Sequence, residues 1–523
     1  MKESQDIETA TTALSPTNAT GPPDNKARRY DRQLRLWAAS GQNALESSRV
    51  LVINGTATST STLKNLVLPG IGHFTILDPS KVTPADAGNN FFLNGPHSIG
   101  KSRAEEEVRL LLELNDGVEG MADTRSLEEV LDTDPEWISG FTVVVAHNLD
   151  SKLLDRLATF LWSDDSHPCL FVIRSSGFLA EFYIQYHEHA IIESHSETAP
   201  SLRIDKAFPG LLEYAKSLDF KTMDPTEHSH IPYVVILVKA LEDWKAEASL
   251  PHGGLPPQTY PEKQEFKKSI VAMKIKPDEE NFDEAEAQAY KCWTSTTVPS
   301  EVAELFQDTR LTNITPKTPR FFVLLAALKE FTQQEPYALP LSSTLPDMKS
   351  NTENYVHLQK LYKTKAEEEK GVIKKLLAAP VPSDLVDSFV KNAHGLKLLK
   401  GKLWDALNGD KEALANSVGT LPKQVSAHLA LSALATFHSD NPTATPTVDA
   451  LTAEAKKILP ELLEGWDDAV GEVVRAPFAD LPNTAAFLGG LVAQEVIKMI
   501  TKQYVPINGY CVADLVDSWT GVI

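Results

Sequence analysis

The sequence predicts an α/β fold, a Rossmann-like sheet domain carrying a large, mainly helical insertion, and three observations predict it. Short apolar runs alternate with helical segments early in the chain: RVLVI at 49–53, STLKNLVL at 61–68, HFTIL at 73–77, FTVVVA at 141–146 and LFVI at 170–173. Strand–helix–strand order of this kind builds a parallel sheet with helices on both faces. Between about 200 and 475 the pattern changes to long amphipathic or charged stretches, among them YVVILVKALEDW at 233–244, FFVLLAALKEF at 321–331 and KTKAEEEKGVIKKLLAA at 363–379. Strand character then returns near the end, in YCVADLV at 510–516.

Taken in order, residues 1–25 hold no hydrophobic period and predict a disordered tail. From Tyr30, the stretch YDRQLRLWAASGQNALESS places Tyr30, Leu34, Trp37 and Leu45 near one helical face, with Arg32 and Arg35 projecting elsewhere. The sheet domain is expected over 26–200, with FLAEFYIQYHEHAIIES at 178–194 extending the sheet. A mainly helical half-domain is expected over 201–475, broken by the Pro/Gly/Thr-rich loops at 251–264 and 438–449. Residues 476–523 return to the sheet domain, and TAAFLGGLVAQEVIKMI at 484–500 reads as a helix with small residues for close packing.

Composition narrows the function. The chain has 523 residues, and 71 acidic against 50 basic residues give a formal charge of −21, which argues against nucleic acid or an anionic membrane as the main partner. No uninterrupted apolar run of about 18 residues and no secretory layout at the N-terminus are seen, so a cytoplasmic or nuclear protein is expected. Cys169, Cys292 and Cys511 stand far apart without a CxxC pair, which leaves buried, reduced thiols rather than a zinc or redox motif.

Strand, glycine turn, helix and an acidic residue about 20 positions on is the layout of a nucleotide-binding fingerprint. RVLVINGTATSTSTLKNLVL followed by FTILD has that outline, with Asp78 where a ribose-binding carboxylate would sit. The glycines are missing: Gly55 is followed by Ala57 and Thr60, whose side chains occupy the approach that phosphates need. Two readings stay open at this point. One is a sheet unit that never held a nucleotide; the other is a degenerate site in which hydroxyls and a helix N-terminus still attract phosphate weakly.

YDRQLRLW, VLPGIGHFTILD, DAGNNFFL, GKSRAE, HSHIPYVVILVK and TAAFLGGLVAQEVIK, in this order, strongly resemble the regulatory subunits of the neddylation-activating enzyme, the APP-binding-protein-one/Ula/AXR family. That family lies within the ThiF-like activating superfamily, and the likeness spans roughly residues 28–510. It implies a ThiF-type pseudo-adenylation domain paired with a catalytic subunit, which joins a ubiquitin-like modifier to AMP and passes it to a cysteine. ATP and magnesium would then sit in the partner, and neither cofactor in this chain.

The resemblance also implies what is missing. Where active domains carry Asn-Arg-Gln, this chain has Asn89, Asn90 and Phe91, without the cation that neutralises phosphate. Arg103 in GKSRAE replaces a lysine, and Leu149 in HNLD stands at the position of a magnesium-binding Asp. None of the three cysteines looks prepared as a thioester-forming thiol: Cys169 sits in PCLFVI and Cys511 in YCVAD, and Cys292 has Lys291 beside it but is followed by Trp293 and covered by no family motif. One element survives: Arg32, in YDRQ, matches the arginine that reaches across the dimer to the ATP phosphates of the active subunit. The loop LPLSSTLPDM at 339–348 resembles a partner-touching loop, which makes Leu339, Pro340, Leu341, Leu345 and Pro346 candidate interface residues. His228 and His230 read as capping or solvated residues before a helix, and Asp467 with Asp468 as a solvated turn. The competing functions are a self-sufficient adenylating enzyme, the regulatory subunit of the sumoylation-activating enzyme, and a scaffold without any nucleotide role.

Overall fold

β1 (Arg49–Ile53), β2 (His73–Leu77), β3 (Glu119–Asp123), β4 (Val143–His147) and β5 (Cys169–Ser176) pair in parallel, and β6 (Leu179–Gln185), β7 (Cys511–Asp514) and β8 (Trp519–Val522) continue the same sheet antiparallel. The spatial order is β8–β7–β6–β5–β4–β1–β2–β3. The computed structural model describes residues 25–195, 199–246, 254–461 and 464–523; the segment expected to be a disordered tail, apart from its last residue, lies outside them. β1 and β4 read as unbroken apolar runs because each is covered on both faces. β3 (EGMAD) sits at the sheet edge and alternates exposed with covered positions, which is why no apolar run announces it.

Among the helices of this unit are α1 (Asp31–Glu46), α2 (Ala57–Val67), α3 (Pro84–Asn89), α4 (Arg103–Leu112), α5 (Ser151–Trp162), α6 (Pro422–Asp440), α7 (Trp466–Arg475) and α8 (Pro482–Thr501). On one face of the sheet, Val50, Val52, Phe74 and Ile76 share a core with Leu63 and Leu66 of α2, Leu111 of α4, and Leu488, Val492 and Val496 of α8. On the other, Leu51, Ile53 and Val144 pack with Leu154 and Leu157 of α5, Leu429 and Leu434 of α6 and Val470 of α7. α8 is long and apolar enough to cross a membrane, and its apolar residues are used in this core instead.

Three expectations change here. Of the stretch 178–194, only Leu179–Gln185 extends the sheet, and Glu188–Ile191 belongs to a separate two-stranded sheet. The chain divides into a unit ending at Ile191 and resuming over Leu398–Ile523, and a second unit over Ile192–Lys397, so the return to the sheet unit begins near 398 and not at 476. α6 explains the difference: Val425 to Ala435 are all buried, as expected for a helix enclosed by its own unit, and sequence periodicity cannot say which unit that is. The helix expected from Tyr30 is two pieces, because Trp37 and Ala38 (φ 55°) leave helical geometry. Trp37 is buried, its Nε1 donating to Gln42 Oε1 at 3.2 Å, while Gln503 Nε2 donates to the Trp37 carbonyl at 3.0 Å. Tyr30 caps the first piece and accepts from Asn115 Nδ2 at 2.9 Å.

Within the second unit, the helix Tyr233–Ala246 is buried on nearly every side and is packed by Phe266, Phe282 and Tyr362. The helix Arg320–Thr332 falls where the sequence placed it, and the charged segment expected from 363 belongs to a longer helix, Thr352–Leu376, that begins eleven residues earlier. Glu369, from the charged run AEEEK, turns inward and receives both Nη atoms of buried Arg203 at 2.7 and 2.8 Å, while its Oε2 also accepts from Leu341 N at 2.8 Å.

Of the two glycines of α8, one serves the close packing that the sequence predicts. A Cβ on Gly489 would stand 2.4 Å from Ser61 Oγ and 2.7 Å from the Ser61 carbonyl carbon, whereas one on Gly490 meets nothing within 4 Å. Gly489→Ala should therefore lower the chemical-denaturation midpoint of the full chain by the equivalent of ~1–3 kcal/mol. Gly490→Ala should leave it unchanged or raise it by up to ~1 kcal/mol, through helix propensity.

Candidate functional site

The loop between β1 and α2 opens on a cavity of about 570 Å³ lined by Asn54, Thr56, Asp86, Arg103, Asn148 and Asp480 among others. In the fingerprint geometry this is where nucleotide phosphates would meet the first turn of α2. That turn already holds an anion. Asp480, from the segment between α7 and α8, accepts from Thr58 N at 3.0 Å through Oδ2 and from Thr58 Oγ1 at 2.6 Å through Oδ1. Thr56 is the N-cap and accepts from Ser59 N at 3.2 Å. Its Oγ1 lies 2.7 Å from Nδ1 of fully buried His147, whose Nε2 is 2.9 Å from Ser175 Oγ. Burial lowers the His147 pKa, which favours the neutral ring.

Asp78, placed by the sequence on a ribose, is fully buried and committed. It accepts from Gly55 N at 2.9 Å, from Ser80 N at 2.8 Å and from Arg103 Nε at 2.6 Å. Arg103 goes on to Asp86 Oδ1 at 3.1 Å and Asn54 Oδ1 at 3.3 Å, so its guanidinium is consumed within the chain. Burial works against its charge, but Asp78 outweighs that and raises its pKa. Asn90, at the position of the phosphate-binding arginine, is buried; its Oδ1 accepts from Thr60 Oγ1 and Phe92 N at 2.9 Å each, and its Nδ2 donates to Glu107 Oε1 at 2.8 Å. Phe91 beside it is 88% exposed.

The magnesium end is closed in the same way. Asn148 exchanges hydrogen bonds with the backbone of Ser175 at 3.0 and 2.9 Å, Leu149 packs against the apolar core, and Asp150 caps α5 by accepting from Lys152 N and Leu153 N. The side chains present do not fit a nucleotide triphosphate with its metal: one carboxylate stands at the phosphate position, and the cation nearest the loop is spent on two others. Among the described residues there is no cluster of His, Cys, Asp and Glu with metal-site geometry. The thiols are no better prepared. Burial pushes Cys169 up to about 12 and Cys511 up to about 11, and raises Cys292 as well, so none is a ready nucleophile.

Arg32 lies elsewhere, on the exposed first piece of α1. Arg29 is held by Asn115 and Asp116 at 2.6 Å each and Arg35 by Asp31 at 3.1 Å, whereas Arg32 makes no hydrogen bond or ion pair among the described residues. The proposed interface loop is corrected in part. Leu341 and Leu345 belong to the apolar core of the second unit and Pro340 is buried, because a Pro-punctuated apolar loop covers its own core before it serves a partner; Leu339 is half-buried and Pro346 exposed. His228 is also corrected: it is fully buried, 2.7 Å from Glu279 Oε1 and stacked on Phe282, while the helix cap there is Asp224. Asp467 and Asp468 form the first turn of α7 rather than a turn between elements, where their charge complements the helix dipole.

Comparison with known proteins adds the family. The ThiF family matches residues 30–164, which cover β1 through α5. The NEDD8-activating enzyme E1 regulatory subunit of Xenopus laevis is 37% identical over 516 residues, covering 92% of this chain and 96% of that protein. The chain belongs to the NEDD8-activating enzyme E1 regulatory subunits. The regulatory subunit of Gallus gallus is 36% identical, covering 92% of this chain and 95% of its own, and AXR1 of Arabidopsis thaliana is 34% identical, covering 94% of each. Family membership was legible in the motifs; Asp480 and Glu107 were not. Asp480 sits in FADLPN, with no periodicity to mark it, and is brought to α2 only by the fold.

Glu107 supplies a test of this site. It is fully buried, its Oε2 has no partner, and a Cβ on Gly55 would stand 2.2 Å from that oxygen. Burial holds its carboxyl pKa well above the usual range, although Arg103 pulls the other way. A carboxyl whose folded pKa exceeds its unfolded value makes the folded state lose stability as pH rises through that interval. Glu107→Gln removes the loss. Its urea midpoint should exceed that of the parent at pH 8, and the difference should close as pH falls toward the unfolded carboxyl range near ~4; a constant offset across pH would mean that the carboxyl is not protonated on folding.

Proposed function

We propose that this chain is the non-catalytic half of a heterodimeric enzyme activating a ubiquitin-like modifier of the neddylation type, and that it lends Arg32 in trans to a catalytic partner. The partner binds ATP and magnesium, adenylates the modifier and receives it as a thioester. This chain binds neither cofactor. The name shared by the relatives, a regulatory subunit of an E1, supports the pairing with a catalytic chain and favours neddylation over sumoylation. Conversion of the chain's own phosphate position into a carboxylate contact argues against a self-sufficient adenylating enzyme.

The observation that carries the Arg32 assignment is its setting within the YDRQ motif: of the four arginines over residues 28–35, Arg29 and Arg35 are tied to carboxylates, and Arg32, on the exposed start of α1, like Arg28 ahead of it, has no internal partner among the described residues. A guanidinium held there can meet the charge that builds on phosphate oxygens as pyrophosphate leaves.

The test is modifier-dependent ATP–pyrophosphate exchange by the reconstituted heterodimer. Arg32→Ala should lower the exchange rate by about 10²-fold with the heterodimer intact, Arg32→Lys should recover part of it, and Arg35→Ala should leave it unchanged. An Arg32→Ala heterodimer exchanging at the parent rate would make the chain a scaffold. Robust exchange by the isolated chain would make it an enzyme in its own right.

A further inference from the structure

The first turn of a helix attracts anions because its N–H groups have no partner within the helix. In this chain that attraction is satisfied from inside. The carboxylate of Asp480 takes one backbone N–H and one hydroxyl from Thr58, the pair of donors that a phosphate oxygen at the same turn would use. It borders the cavity of about 570 Å³ that the β1–α2 loop leaves open.

Asp480 is held in place on both sides. Gly177 N donates to the Ala479 carbonyl at 3.0 Å, and Gly177 and Asp480 form a parallel bridge. Ser176 Oγ donates to the Ala476 carbonyl at 2.8 Å, Phe178 N to Glu472 Oε1 at 2.9 Å, and Thr484 Oγ1 to the Gly177 carbonyl at 2.8 Å. The segment 476–484 is thus laced to the β5–β6 turn independently of its contact with α2. The carboxylate is delivered to the helix by bonds that do not depend on what the helix binds.

We infer that Asp480 is an intramolecular anion occupying the phosphate position of this cavity, so that the site refuses phosphate-bearing ligands by occupancy and by charge, beyond the loss of its glycines. The groups around it are Thr58, which donates both hydrogen bonds, His147, whose burial favours the neutral ring, Arg103, whose charge is taken up by Asp78 and Asp86, Asp150, which caps α5, and His438, whose ring lies against Phe478. Among the described residues lining the cavity, the one guanidinium, that of Arg103, is already spent on carboxylates, and a fixed carboxylate meets an incoming phosphate. Once the carboxylate is gone, buried Thr58 N and Oγ1 become free donors behind the position that Asp480 occupies on the cavity wall.

Inorganic pyrophosphate is the probe, and its effect on the melting temperature of the full chain is the readout, since a ligand that binds only the folded state raises Tm with concentration. The parent chain and Glu128→Gln, which removes an exposed charge outside the cavity lining, should show no pyrophosphate-dependent rise at millimolar concentration. Asp480→Ala should melt lower without ligand and show a saturable rise, with an affinity at least about tenfold above that of the parent. Asp480→Asn keeps the shape without the charge and should fall between them. If folded Asp480→Ala responds no more than the parent, the carboxylate is a structural staple only and the inference fails. Should Asp480→Ala not fold, the same comparison is made with Asp480→Asn, and a response equal to that of the parent overturns the inference equally.

Discussion

A parallel sheet has to be covered on both faces, and this chain meets that requirement with residues from its two ends. Strands β1, β2, β4 and β5 come from the first third of the chain, yet α6 and α7, which close one face, and α8, which packs with α2 on the other, come from beyond residue 398. The second unit is therefore an insertion into a sheet unit that is complete only when the chain returns. The same return carries Asp480 to α2, because the segment leading into α8 must pass the end of the β5–β6 turn, where Gly177 engages it. The contact that alters the character of the site is in this sense a by-product of covering the sheet.

The chemistry of the cavity follows from where its charges end. In a working phosphate site, cations and N–H groups are kept unpaired until the ligand arrives, which costs stability in its absence. Here Arg103 is neutralised by Asp78 and Asp86, Asn90 is satisfied by Thr60 and Glu107, and Thr58 by Asp480. The pairings use positions at which a nucleotide-binding fingerprint would otherwise engage its ligand. What remains unpaired is a buried acceptor, Glu107 Oε2, which burial keeps protonated to a higher pH than an ordinary carboxyl.

The sheet was legible in the sequence wherever burial was two-sided: RVLVI, HFTIL and the VVV of β4 are apolar because both neighbours and both layers are protein. It was illegible at β3, whose edge position lets Glu119 and Met121 face outward, and in the last strand, β8, for the same reason. Helices were legible as helices, but their allegiance was not. α6 carries no pattern that distinguishes the sheet unit from the insertion, so the boundary fell about 80 residues too late in the sequence-based expectation. The site shows the same divide. Broken glycines, Asn90 and Leu149 are local substitutions that a motif exposes. The use of Asp78, Glu369 and His228 as buried partners depends on residues distant in sequence, and an acidic or histidine side chain looks solvated until its partner is known.

Satisfying the nucleotide-facing donors internally also changes what folding depends on. A subunit whose site is held open gains stability from its ligand and loses it when the ligand is scarce. On the inference drawn for Asp480, this sheet unit, with Thr58 and Arg103 engaged by its own carboxylates, has a stability uncoupled from nucleotide supply at that cavity. The isolation of Arg32 then stands out against the rest of the charge distribution. In a chain that pairs Arg29, Arg103, Arg125 and Arg203 with carboxylates, a guanidinium left without a partner among the described residues, on an exposed helix, keeps its full capacity for an anion outside the chain. On the proposed reading of Arg32, closing the internal site and leaving this guanidinium unpaired are complementary: the first removes competition for phosphate within the chain, and the second leaves a cation available to a partner's phosphate.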